Sequence, residues 1–377
     1  MKKIFILTGE PSGDKLASKV INKLMSKRSD ISYLSVGGEN LRALGIKSLY
    51  DLKDVTFLGF TSVFLNIFKI KKKIKDTTNE IINFSPDILF SVDSPDFTLR
   101  IAKNVKKKNP NIKIIHFVAP QVWIWRSRRI KKIKNIVDHM LLLFKFEKKI
   151  FDQEHINSTF VGHPLLDSDQ NQREELDNTG FFNKRIISLF PGSRMSEIKI
   201  LMPILIDFVL LVQKKTDMYS FVFHSTSELE IDIKNFIKEA SLEKCEIISN
   251  NKNKKYILNK SIFAIAKSGT VSLEISNAQI PSLIIYKMGF INFFIIKLLV
   301  NTKYANIFNI IAKKIIIPEL LQSKCNAEEI FRVFNSYINN PEFSREQLLK
   351  CNKILKEIRN ESSSIKTVSD ILSKSLS

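Results

Sequence analysis

Short apolar runs, each too brief for a helix, alternate with longer amphipathic stretches, and the whole rhythm occurs twice. Residues 4–8, 32–36, 87–92, 112–118, 138–144 and 159–161 are rich in β-branched and aromatic side chains and read as strands. Helical patterns fill 15–27, 79–84 with the segment before it, and 98–108. Runs this uniformly apolar suit strands buried on both faces, the habit of parallel sheets covered by crossover helices. The pattern breaks after Gly162-His163-Pro164, where the stretch 167–184 carries Asp167, Asp169, Glu174, Glu175 and Asp177 and little apolar content. It then restarts with 185–190, a helix through 212, and strands at 220–223, 246–248, 262–266 and 282–286. The expected architecture is α/β, with two Rossmann-like domains facing a cleft, residues 1–165 and 166–377. The last stretch, 327–376, is helical and polar-patterned and is expected on the outside, its final helix free to pack back on the first domain. Ligands in such sheets gather beyond the carboxyl ends of the strands.

With 377 residues and 44% hydrophobic content, the chain can supply two cores and is not a disordered tail protein. The opening MKKIFILTGE has too short an apolar run for a signal peptide and reads as the first strand of a cytoplasmic protein. No run approaches the roughly 18 apolar residues of a membrane span. Cys245, Cys325 and Cys351 are widely spaced, without CxxC or Cys-His grouping, which argues against a zinc site or a disulfide framework. The net charge of +21 has two readings. Lys, Ile and Asn are abundant throughout, as compositional drift would produce; alternatively the charge meets an anionic partner, a nucleic acid or an acidic membrane surface.

Four strand-to-helix junctions could carry chemistry. LFPGSR (189–194) opens the second domain with Gly192, Ser193 and Arg194, a glycine turn before a helix start with a guanidinium beside it, which suits an anion; a plain turn is the other reading. AKSGTVSLEI (266–275) repeats the idea with Ser268, Gly269 and Thr270. If Thr270 caps the helix, a capping-box acid belongs at Leu273, so Glu274 is one position too late and is free to accept from ribose hydroxyls. Two anion-binding helix starts in one domain suggest a nucleoside diphosphate. GEPSGD (9–14) also has two glycines, but Glu10 and Asp14 would repel a pyrophosphate, so this loop should meet hydroxyls or simply begin a helix capped by Ser12. SVDSPDF (91–97) puts Asp93 at a strand's carboxyl end, where a general base belongs, with an Asx-turn or cap as the alternative.

These stretches resemble the lipid-A-disaccharide synthase family, inverting glycosyltransferases of the GT-B fold. GEPSGD, SVDSPDF, HFVAPQVWIWRSRRIKKI (116–133), FVGHPLLD (160–167), LFPGSR, SGTVSLE (268–274) and PELLQ (318–322) follow the family's order over nearly the whole chain. The resemblance implies UDP-2,3-diacylglucosamine as donor, 2,3-diacylglucosamine 1-phosphate as acceptor, a β-1,6 product plus UDP, and neither metal nor cofactor. It implies Asp93 as general base and Arg194 as stabiliser of the departing diphosphate. Glu274, Asn309, Glu319 and Gln322 would hold the nucleotide, and Gln121, Trp123 and Arg126 would join Glu10, Ser12 and Asp14 on the acceptor side. The chain departs from the family at Thr61 or Ser62, where a Glu is expected after a glycine, and at Phe308 and Lys313, where the family shows proline and glycine.

Phe57, Phe60, Phe64, Ile67, Phe68 and Ile74 recur at helical spacing beside the lysine run 69–75, which includes Lys69 and Lys71, and suggest an amphipathic helix in an anionic interface, with ordinary core packing beside a solvated charge run as the other reading. Phe290, Phe293 and Phe294 offer a second apolar patch. With acylated substrates, that reading makes the chain peripheral on the inner face of the inner membrane, and homo-oligomerisation stays open. Trp123 and Trp125 among arginines imitate a nucleic-acid surface, but no nucleic-acid module surrounds them and no such partner is expected. A UDP-sugar 2-epimerase of similar architecture is the competing enzyme reading, and a basic nucleic-acid-binding protein the competing non-enzyme one.

Overall fold

The computed structural model describes residues 1–55, 67–122, 130–167, 185–289, 293, 297 and 302–376. The chain forms two compact units, and the first takes it up again from Glu357 onward, after the second is complete. In the first unit the order is β1 (Lys2–Thr8), α1 (Pro11–Met25), β2 (Ile31–Val36), α2 (Glu39–Arg42), α3 (Ile67–Phe84), β3 (Ile88–Val92), α4 (Pro95–Lys108), β4 (Lys113–Phe117), α5 (Ile130–Ile133), β5 (His139–Leu142), α6 (Lys145–Gln153) and β6 (Ser158–Phe160). The strands make one parallel sheet in the order β2-β1-β3-β4-β5-β6, with Ile4 opposite Ile88 and Ile88 opposite Lys113. Ile4, Phe5, Ile6 and Leu7 are all fully buried, as the unbroken apolar run requires of a strand covered on both sides.

Helix α3 corrects one expectation. Ile74 lies in the core with Ile81, and Ile70 packs against it, so the apolar stripe of α3 faces the sheet rather than a membrane. Phe68 is the exception at 81% exposed, next to exposed Lys69 and Lys71.

The second unit runs β7 (Arg185–Phe190), α7 (Met195–Gln213), β8 (Tyr219–His224), α8 (Glu230–Glu239), β9 (Cys245–Ile248), α9 (Asn251–Lys260), β10 (Ser261–Lys267), α10 (Val271–Asn277), β11 (Ser282–Tyr286), α11 (Ile307–Ala312), β12 (Glu319–Leu321), α12 (Ala327–Asn339) and α13 (Pro341–Ile358). Its parallel sheet has the order β12-β11-β10-β7-β8-β9. The region expected on the outside is partly interior. Phe334 of α12 is buried and sits edge-on to Phe208, Tyr219 and Phe263, with centroids 5.5–5.6 Å away. Burying such a ring is worth about 1.5–3 kcal/mol, so α12 is part of the core.

Helix α14 (Ser364–Ser375) belongs to the first unit and packs on α1. Asp167 accepts from Ser363 Oγ (3.0 Å), Ser364 Oγ (2.9 Å) and the Ile365 amide (3.2 Å), a carboxylate at the helix's positive end. Gly162 has φ +84°, and a Cβ there would come within 2.9 Å of Asn360. The GHPLLD stretch is thus the seat of the returning chain. At the other end, Lys27 pairs with Asp370, and Arg28 donates to the Ser373 carbonyl (3.3 Å). Among the described residues no helix is long and apolar enough to cross a membrane.

Candidate functional site

At the carboxyl edge of the first sheet, β3 passes into α4 through Asp93 and Ser94, both left-handed at φ 56° and 45°. Two successive non-glycine residues in that region cost of order 1–3 kcal/mol each, and such strain is typical of working sites. The turn is held from several sides. The Asp93 amide donates to the Phe117 carbonyl (2.9 Å), and Thr98 Oγ1 donates to the Asp93 carbonyl (2.8 Å). The Asp93 carboxylate accepts from the Ser94 amide (2.8 Å) and from Ser12 Oγ (3.3 Å), and the residue stays partly exposed.

The GEPSGD loop explains itself against this turn. A Cβ on Gly9 would lie 2.6 Å from Ser94 Cβ, and one on Gly13 would lie 3.0 Å from the Val92 carbonyl. Both glycines make room for the Asp93 turn. Helix α1 starts at Pro11 with Glu10 in the cap position and no side-chain cap, so Ser12 is not the cap and instead reaches Asp93. Glu10 is partly exposed beside it. Asp14, expected on the acceptor side, is 1% exposed and accepts from the Gly38 amide (2.7 Å), the Asn40 amide (2.9 Å) and Asn40 Nδ2 (2.8 Å). It fastens the start of α2 and is not placed to meet a ligand. Under the turn, Ser91 Oγ lies 2.7 Å from His116 Nδ1, and burial pushes the imidazole down to about 4, leaving it neutral near pH 7. Gln121 is exposed; Trp123, Arg126, Phe60, Phe64, Phe290 and Phe294 lie outside the described residues.

The second sheet's carboxyl edge is cationic. Gly192 (φ +123°) and Ser193 fold over Glu197, whose Oε2 accepts from the Ser193 amide (3.0 Å). Glu197 Oε1 meets Lys267 Nζ at 2.8 Å and Arg194 Nη1 at 3.8 Å. Lys267 is the last residue of β10, and its ammonium stands 5.4 Å from the ring centroid of Tyr286, the last residue of β11. Glu274 pairs with Lys254 at 2.6 Å, and Lys254 Nζ is 5.7 Å from the Phe190 ring. Phe190 stacks on His224 at 4.1 Å, and burial, aided by the Lys254 charge, pushes that imidazole to about 3. Thr270 occupies the cap position of α10 without a side-chain cap, while Ser268 Oγ donates to the Ala305 carbonyl (2.6 Å). A Cβ on Gly269 would meet nothing closer than 3.9 Å.

Asn309, Glu319 and Gln322 turn inward. Buried Asn309 donates to the Ile317 carbonyl and to Glu319 Oε1, both at 2.7 Å, and its oxygen accepts from the Ile316 and Ile317 amides. Glu319 accepts from the Ala305 and Asn306 amides (3.0 and 2.8 Å). Gln322 brackets Met288, accepting from its amide (2.9 Å). The amide of Asn309 therefore has no capacity left for a ligand; these three order the 305–306 turn and the 288 backbone. Lys313 adopts φ 54°, the left-handed end of α11, a conformation that glycine adopts without strain, and Phe308 is buried.

Lys254, Glu197, Lys267 and the Phe190–His224 stack were not singled out from sequence. Lys267 was legible as the residue between a strand and Ser268-Gly269; Lys254 lies in a lysine-rich helix and carries no local signal. Among the described residues no group of three or more His, Cys, Asp or Glu could hold a metal.

Residues 4–370 match the family described as lipid-A-disaccharide synthetase. The chain belongs to that family. A lipid-A-disaccharide synthase of Rickettsia prowazekii is 35% identical over 369 residues, 96% of each chain. Among solved structures, a S. aureus MnaA–UDP complex aligns over 99% of this chain and 95% of its own with TM-score 0.65 at 14% identity. A UDP-GlcNAc 2-epimerase from Neisseria meningitidis bound to UDP-GlcNAc aligns over 100% and 99% with TM-score 0.62 at 15% identity. At such identities these two share only the fold, the two-domain α/β arrangement of GT-B type, which this member of the lipid-A-disaccharide synthetase family therefore has.

Proposed function

We propose that the chain is a hexosyltransferase of lipid A synthesis, joining UDP-2,3-diacylglucosamine to 2,3-diacylglucosamine 1-phosphate. The acceptor's 6-hydroxyl attacks the anomeric carbon, its proton passes to the Asp93 carboxylate, and the bond from the anomeric carbon to the β-phosphate oxygen breaks with inversion to give the β-1,6 disaccharide and UDP. Negative charge builds on the departing diphosphate, and Arg194 with the Gly192-Ser193 turn is assigned its stabilisation. Glu274, steadied by Lys254, takes the ribose hydroxyls. Asn309, Glu319 and Gln322 act through the backbone they order. On the acceptor side the reading keeps Glu10, Ser12, Gln121, Trp123 and Arg126.

One observation carries the reading: a strained carboxylate turn ends β3 in the first unit, whereas a guanidinium and an ammonium gather at the ends of β7 and β10 in the second. Proton removal needs the former, and a diphosphate leaving group the latter. Purified protein given both substrates in chelator is expected to form disaccharide and UDP. Turnover of the UDP-sugar without acceptor, or a requirement for added metal, would overturn the proposal. The acyl chains of both substrates place the enzyme on the inner face of the inner membrane, where Phe68, Lys69 and Lys71 are suited to an anionic surface. Co-sedimentation with anionic liposomes that is unchanged in Phe68→Ser would remove Phe68 from that contact.

A further inference from the structure

We infer that Lys267 is a further diphosphate-binding residue, and that Glu197 holds the place of the diphosphate until the donor arrives. The inference rests on the donor-site reading above and adds to it. Three donors of positive charge or partial charge converge on one carboxylate: the Ser193 amide on Oε2 at 3.0 Å, and Lys267 at 2.8 Å and Arg194 at 3.8 Å on Oε1. Lys267 and Glu197 are shielded, their side chains 18% and 15% exposed, whereas Arg194 is 43% exposed. The three elements that meet here are the turn after β7 and the ends of β10 and β11, neighbours in the sheet, at the edge where such folds hold phosphate groups.

A carboxylate ringed by an amide, an ammonium and a guanidinium has the surroundings of a phosphate oxygen. A local turn contact accounts for the Ser193 bond, since Glu197 in the first turn of α7 reaches back to the amide one residue before the cap position, Arg194. It does not account for a lysine brought from the end of another strand and laid over Tyr286. Placing that ammonium on Glu197 offsets the cost of holding an acid where an anion must later bind, and it keeps the lysine within reach of the site. When the diphosphate enters, Lys267 exchanges one anionic partner for another, while Glu197 keeps the Ser193 amide and the turn. No covalent bond changes.

The test measures UDP and uridine binding to the full chain by calorimetry or competition. Lys267→Met keeps the apolar stem and removes the charge; UDP affinity should fall by about tenfold, as for loss of one charge-assisted contact, with uridine affinity unchanged. Lys267→Arg should restore most of the loss. Glu197→Gln keeps an oxygen for the Ser193 amide but frees the cations, and UDP should bind severalfold more tightly than to the unaltered protein. Unchanged UDP affinity in Lys267→Met, or a parallel loss for uridine, overturns the role of Lys267. Weaker UDP binding in Glu197→Gln, with an unaltered melting temperature, overturns the place-holding role. Arg194→Ala separates the two levels: if it weakens UDP binding and Lys267→Met does not, only this inference fails, whereas if neither does, the donor-site reading fails with it.

Discussion

The ends of β3 and β10 are the same device with opposite contents. Each is a buried parallel strand that turns into a helix through a short loop, yet one loop is acidic and closed by protein, and the other is cationic and open. Around Asp93 the neighbouring glycine's missing side chain is filled, since Ser94 sits 2.6 Å from where a Gly9 Cβ would be. At Gly269 the corresponding space is empty out to 3.9 Å. The strand-loop-helix unit thus supplies a location, while residue choice decides whether the location is shaped by the protein itself or left for a ligand.

The largest expected effect falls on the acidic side. Asp93→Asn should lower kcat by about 10²–10⁴, the usual share of general base catalysis, with UDP affinity close to that of the unaltered protein; a near-native rate would make the two turns equally structural. Acid should next divide the two units. Burial holds His116 and His163 near 4 in the first unit and His224 near 3 in the second. Each is raised to about 6.5 on unfolding, so the unfolded chain binds more protons between those values. Stability is fully present above about pH 6.5 and falls as the pH drops toward 4, by at most about 3 kcal/mol per histidine. With His116 and His163, and with His139 also lowered by burial, the first unit should lose hydrogen-exchange protection sooner; equal loss in both units would contradict the assignment.

A smaller change should come from Gly9→Ala, which forces Ser94 aside and should cost about 1–3 kcal/mol in denaturant unfolding, with lower kcat and intact UDP binding. Gly269→Ala should do the reverse at the lower end of the scale: a melting temperature within a degree or two, as for a surface substitution worth about 0.5 kcal/mol or less, and a few-fold loss of UDP affinity. If both alanines behave alike, the contrast between a filled and an open loop disappears.

Strand positions were legible because their signal is local: the run at 185–190 and that at 282–286 match β7 and β11 to the residue. β12 was missed because three residues carry too little periodicity to register. The placement of α12 was misjudged because its polar face is long, and only tertiary packing reveals that Phe334 enters the aromatic cluster. In the candidate site, Asp93 and Arg194 stood out by chemistry just past strand ends, and Glu274 by its place in the first turn of the helix that follows β10. Asp14 and Asn309 could not be sorted in advance, since a buried carboxylate or amide that satisfies backbone groups looks in sequence like one that waits for a ligand. Lys254 and Lys267 depend on through-space partners 20 and 70 positions away, Glu274 and Glu197, and no window along the chain contains both members of either pair.

The seating of α14 on α1 sets an order of events during synthesis. Helix α1 leaves the ribosome early, but its partner, with Asp370 for Lys27, emerges only after the second unit has been made. At about 5–20 residues per second, one face of the first sheet's helical layer waits tens of seconds for its cover. Nascent chains halted before α14 should therefore be bound by chaperones through α1, even with the second unit already folded.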